Sequence, residues 1–116
     1  MNRKLKINES MKYLDKTKNY RVNFFKMNKN ESFSHRLAKF LICDELLKSD
    51  IDFVTEAVFE NGKRADIFDL VNCEAIEVIE SEKMESIEKK KECYPVSLRV
   101  MEAKKVIDFW ANKVFK

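Results

Sequence analysis

The 116-residue chain holds a single glycine, Gly62, a single proline, Pro95, and a single histidine, His35. With so little backbone punctuation it predicts long regular elements joined by short loops, and it leaves no room for a low-complexity linker or a second domain. Three cysteines, Cys43, Cys73 and Cys93, lack CxxC or Cys/His spacing, so neither a disulfide framework nor a zinc site is signalled. They read as small thiols in a reducing cytoplasm. The longest uncharged run, Cys93 to Leu98, is six residues, too short for a membrane span or a signal-peptide core. The expectation is one soluble cytoplasmic globule without a membrane partner.

Apolar residues make up 45% of the chain, nine of them Phe, which is enough for one core. The net charge of +3 is unevenly spread. Residues 1–30 carry nine Lys or Arg against Glu9 and Asp15, net +7, which leaves net −4 on residues 31–116. A basic segment in which Tyr13, Tyr20, Phe24 and Phe25 alternate with Lys12, Lys16, Lys18, Arg21 and Lys26 suits phosphate contacts combined with stacking. It equally suits a solvated lysine-rich first element.

Residues 8–18 could form a short helix capped by Asn8, and Tyr20 to Met27 an edge strand. Asn30 then caps an amphipathic helix over 31–48, with Phe33, Leu37, Phe40, Leu41 and Leu47 at helical spacing and Glu31 and His35 one turn apart. Alternation from Ile51 to Phe59 predicts a strand, and Asn61-Gly62 predicts a hairpin with a type I′ turn. Lys63 to Leu70 returns, a second turn follows at Val71 to Cys73, and Ala75 to Ile79 completes a three-stranded meander. Ser81 caps a helix with Met84, Ile87 and Tyr94 as its apolar stripe, which Pro95 ends. Val96 to Met101 is a fourth strand, and a helix with Val106, Ile107, Trp110 and Val114 closes the chain. The order helix, meander, helix, strand, helix predicts an α/β fold with a central mixed four-stranded sheet flanked by helices. The last strand pairs in parallel because a helical crossover precedes it.

By the period of two, Arg64, Asp66 and Phe68 share one face of the returning strand, opposite Ala65, Ile67 and Asp69. Pairing around the second turn then sets Asp66 opposite Glu77 at roughly 5–8 Å. Two carboxylates that close need a cation, a proton or a basic side chain between them. A hard divalent ion such as Mg²⁺ fits, and water activated there attacks phosphodiesters. The other reading puts both acids on the solvent face of a one-sided sheet. His35 reads either as a site residue or as a partly buried histidine held by a carboxylate.

The stretch TEAVFENGKRADIFDL followed by EAIEVIESE resembles the core of the PD-(D/E)XK nuclease superfamily, restriction-endonuclease-like proteins that include archaeal Holliday-junction resolvases. The resemblance covers about residues 31–101, within a nuclease-like unit at 31–116 that follows the basic segment at 1–30. It implies an endonuclease hydrolysing phosphodiester bonds, branched DNA among its substrates, with Mg²⁺ or Mn²⁺ held by Asp66, Glu77 and the backbone at Val78, and with Glu31 assisting. Ile79 stands where the family carries a lysine. Members of the superfamily move or replace that residue, which points to Lys63 or Arg64 beside Asp66 and to Lys83, Lys89 or Lys90 downstream. Lys12, Lys16, Lys18, Arg21, His35 and Arg36 are the expected DNA contacts. A homodimer is also expected, because cutting two strands needs two copies of a site on a domain this small, and Phe109, Trp110 and Phe115 offer an apolar surface for it. The alternative is a catalytically silent member that binds nucleic acid or a protein partner.

Overall fold

A computed structural model describes residues 2–80 and 84–115, without the side chains of Met84 and Phe115. Four helices and four strands follow one another as α1 (Arg3–Met11), α2 (Phe33–Lys48), β1 (Phe53–Val58), β2 (Arg64–Asp69), β3 (Glu74–Ile79), α3 (Met84–Cys93), β4 (Ser97–Glu102) and α4 (Ala103–Phe115). The strands form one sheet in the order β1-β2-β3-β4. The β1/β2 and β2/β3 pairs are antiparallel and β3/β4 is parallel, so the fold is the mixed α/β architecture expected from the sequence. No described helix is long and apolar enough to cross a membrane.

Each face of the sheet carries its own core. One gathers Leu14, Val54, Ala57, Phe59, Ala65, Phe68, Leu70 and Ala75, with Ile7, Met11 and Tyr94 packed against it from the α1 and α3 side. Phe59 and Phe68 meet edge to face at 5.1 Å there, an arrangement worth about 0.5–1.5 kcal/mol beyond area burial. The other gathers Ala38, Ile42 and Cys43 of α2 with Phe53, Ile67, Ile76, Val78 and Ala103, joined by Val106 and Ile107 of α4.

The N-terminal thirty residues belong to this packing. Asn2, not Asn8, caps α1 by accepting from Leu5 N, and Ser10 Oγ donates to Leu70 O at 2.6 Å inside the core. Residues 20–27 form no strand. They run as a loop along the outer edge of β1, pinned by Asn23 N to Phe53 O, Lys26 N to Thr55 Oγ1 and Thr55 Oγ1 to Phe24 O. The edge that β1 would otherwise present is covered in this way.

The N-cap of α2 is Ser32, whose side chain accepts from His35 N, so Glu31 lies just before the helix. The buried residues of α2 are Ala38, Lys39, Leu41, Ile42 and Cys43, while Phe33, Phe40 and Leu47 are at least half exposed or nearly so. The expected apolar stripe is therefore rotated. The hairpin at Asn61-Gly62 forms, but only Gly62 has positive φ, at 87°. Gly62 N donates to Phe59 O and Phe59 N to Lys63 O, which is a three-residue loop of a type I turn followed by a left-handed residue, in place of type I′. At the second turn Asp69 accepts from Val71 N, Asn72 N and Asn72 Nδ2, which explains a buried carboxylate there. Pro95 follows α3 as expected. The Ser81 cap lies outside the described residues.

Candidate functional site

The β1/β2 ladder pairs Thr55 with Ile67 and Ala57 with Ala65, and skips the step between them, where Glu56 faces Asp66. Glu56 has φ 51°, a left-handed conformation that costs a non-glycine residue roughly 1–2 kcal/mol. The residues on either side change faces across this step. Phe53 and Ile67 belong to the α2 core, whereas Ala57 and Ala65 belong to the α1 core. The strict alternation that grouped Asp66 with Phe68 is overturned at this point, and both Glu56 and Asp66 turn toward α2. Strain of this kind persists only where surrounding contacts over-determine it, and such positions cluster at functional sites.

Lys39 is the contact that holds Glu56. It is fully buried, and its Nζ reaches Glu56 Oε1 at 2.7 Å, Lys26 O at 3.0 Å and Glu31 Oε1 at 3.5 Å. Those three acceptors use all three of its donors, the condition under which a buried ammonium is tolerated. The other oxygen of Glu31 meets His35 Nδ1, and His35 Nε2 lies 3.0 Å from Val78 O and 3.4 Å from Asp66 Oδ2. A carbonyl can only accept, so Nε2 carries a hydrogen. Burial raises the Glu31 pKa against the opposing pull of Lys39 and His35. Neither Glu31 Oε2 nor His35 Nδ1 is aligned for a hydrogen bond with any described group, though both are buried.

Asp66 and Glu77 stand opposite each other one step beyond the last β2/β3 pair, Ile67 with Ile76. The strands part there because Asp66 Oδ2 takes the N–H of Val78 at 2.8 Å. Glu77 is pushed up to about 7, first by burial and then by the charge of Asp66, while Lys90 pulls it down from 3.6 Å away. Tyr94 donates to Arg64 O at 2.6 Å, and burial, then Glu77 and Asp66, raises its pKa.

Four expected site positions therefore come together, namely Glu31, His35, Asp66 and Val78, and Glu77 joins them only through Asp66. Lys63 is exposed beside the hairpin turn and Lys89 is exposed on α3; Lys90 is the lysine that reaches Glu77. Lys83 lies outside the described residues. Lys12 and Lys16 pair with Glu9 and Glu60 at the surface. Arg36 donates to Glu31 O and so braces the segment before α2. Lys39 and Glu56 were missed, because a lysine in a helix reads as solvated; the signal that could have found Lys39 is its place among Ala38, Leu41, Ile42 and Cys43.

The donor set suits a divalent ion. Four carboxyl groups, Glu31, Glu56, Asp66 and Glu77, face two ammonium groups and one imidazole, and Glu31, His35 and Asp66 offer ligand atoms all within 4.8 Å of one another. The buried Glu31 Oε2 and His35 Nδ1 without aligned partners fit the same role, and the carboxylate and carbonyl oxygens match the preferences of Mg²⁺ and Mn²⁺. Comparison with protein-family models, curated proteins and solved structures finds no match to this chain.

Proposed function

We propose that the chain is a metal-dependent endonuclease of the PD-(D/E)XK type, hydrolysing phosphodiester bonds of DNA, branched DNA included. The observation that carries this reading is the meeting of Glu31 and Asp66 around His35, with Glu77 against Asp66, at the point where two strands part around Asp66. Asp66, Glu77 and the Val78 carbonyl would hold Mg²⁺ or Mn²⁺, with Glu31 acting through His35. When bound, such an ion lowers the pKa of water and offsets charge on the phosphate. Val78 N–H fixes the Asp66 carboxylate, and Lys39 holds Glu31 and Glu56. Lys90 brings an ammonium to Glu77, the service a lysine at position 79 would have given. The basic surface of residues 12–36 holds phosphate.

A homodimer is part of the same proposal, because cutting two strands needs two sites. Phe109 and Trp110 leave apolar area exposed on α4 for it. A catalytically silent scaffold is the second reading, favoured by Ile79, which is buried at 3% exposure and offers no ammonium. The test is Mn²⁺-dependent cleavage of junction, flap and linear DNA by the wild type, Asp66→Asn and Glu77→Gln. Cleavage by the wild type alone supports the enzyme, and metal binding without cleavage supports the silent scaffold.

A further inference from the structure

Between the 18–30 loop and strand β1 lies a surface cleft of about 630 Å³, and five cations line it: Lys18, Arg21, Lys26, Lys29 and Arg64. None of the five forms an ion pair with an acidic residue among the described residues, unlike Lys12, Lys16 and Lys39. The one acid in the lining, Glu56, is bound by the buried ammonium of Lys39, so the floor of the cleft does not repel an anion. Phe24 in the same lining is 46% exposed with the Arg21 guanidinium 4.9 Å above its ring, and Met27 is 66% exposed. Apolar groups left in water beside unpaired cations gain nothing from the core, and they match a polyanion that carries flat apolar faces.

We infer that this cleft binds an unpaired polynucleotide strand, its phosphates on the five cations and a base on Phe24. A duplex satisfies the cations but not the ring, because its base faces are stacked on one another. The inference rests on the nuclease reading for its use. Glu56 of the lining is tied to Glu31 by the buried Lys39, and Arg64 lies two residues before Asp66, so the cleft adjoins that cluster. The substrate class is then DNA or RNA with an unpaired segment, as at a flap, fork or junction.

The experiment is fluorescence anisotropy in EDTA with labelled dT20, rU20 and a 20-base-pair DNA duplex across a salt series. Tighter binding of dT20 or rU20 than of the duplex is expected, and the tighter of the two identifies the sugar. Phe24→Leu keeps an apolar side chain without a ring. It should weaken single-strand binding roughly 5- to 150-fold and leave duplex binding unchanged. Arg21→Gln with Lys29→Gln should flatten the log-log salt slope by about 0.7 for each lost contact on a single strand. Equal or tighter duplex binding, or an unchanged Phe24→Leu affinity in a variant with wild-type circular dichroism, overturns the inference. Asp66→Asn separates the two proposals. Single-strand binding by the wild type and by Asp66→Asn alike, with no cleavage by the wild type, sinks the nuclease reading and leaves the cleft standing. Cleavage by a wild type whose Phe24→Leu variant binds normally does the reverse.

Discussion

Val78 donates its backbone N–H to the Asp66 carboxylate at 2.8 Å, on the next strand, and thereby fixes the acid while the strands part around it. An asparagine in that position still accepts the same hydrogen bond but brings no charge. Asp66→Asn is thus expected to change unfolding free energy by no more than about 1 kcal/mol in urea titrations, while Mn²⁺ affinity measured by calorimetry falls. A variant that binds Mn²⁺ as the wild type does would remove Asp66 from the site.

Lys39 is the buried cation on which Glu31 and Glu56 both depend. Lys39→Met removes it and leaves two inward-facing carboxylates, at an expected cost of about 3–5 kcal/mol at pH 7. Adding Glu56→Gln should recover part of that loss, since the two residues share one contact. Additive losses in the double variant would mean that the pair acts independently.

Glu77 ties stability to pH. Its carboxyl is raised from about 4.5 to about 7 in the folded protein, chiefly by burial and then by Asp66. The folded state therefore holds a proton that the unfolded chain releases. The associated stability is complete below about pH 4.5 and is lost as pH rises through 7, up to about 3 kcal/mol. In metal-free protein, wild-type stability should fall between pH 5 and pH 7.5 relative to Glu77→Gln. Parallel pH profiles for the two proteins would show that Glu77 is solvated.

Much of this was legible in the sequence because it rests on local rules. Asn61-Gly62 marked the hairpin, alternation marked β1 to β3, and the helical crossover marked β4 as parallel. The convergence of Asp66 with Glu77 followed from counting along two strands. What counting could not give is the face change at Glu56, since a left-handed residue in a strand is imposed by Lys39 across the fold and leaves no trace in the local pattern. For the same reason α2 turned out to bury Lys39 and expose Phe33. A buried lysine is stable only with partners brought from elsewhere in the chain.

Gly62, the only glycine, sits at φ 87° with open space where a Cβ would project. Gly62→Ala meets no clash, so only backbone strain opposes it. The expected loss is about 1 kcal/mol in thermal or urea unfolding. A stabilised variant would indicate that the turn adopts another conformation.

Lys90 decides between the enzyme and the silent scaffold. Its Nζ, on α3, lies 3.6 Å from Glu77, whereas Lys89 on the same helix is exposed to solvent. An ammonium there can orient water and offset charge developing on a phosphate, and loss of one such contact typically lowers the rate about a hundred- to a thousandfold. Lys90→Met should therefore abolish most Mn²⁺-dependent cleavage and leave Mn²⁺ affinity nearly unchanged, whereas Lys89→Met should cleave like the wild type. Ile79→Lys tests the same point from the other side. Ile79 is 3% exposed, so a lysine installed there pays a burial penalty unless its ammonium reaches Glu77. In the Lys90→Met background it should restore part of the cleavage while lowering the unfolding midpoint. Full activity in Lys90→Met would mean that another group supplies the proton or the charge, and an inert wild type that binds Mn²⁺ would assign the chain to the silent scaffolds.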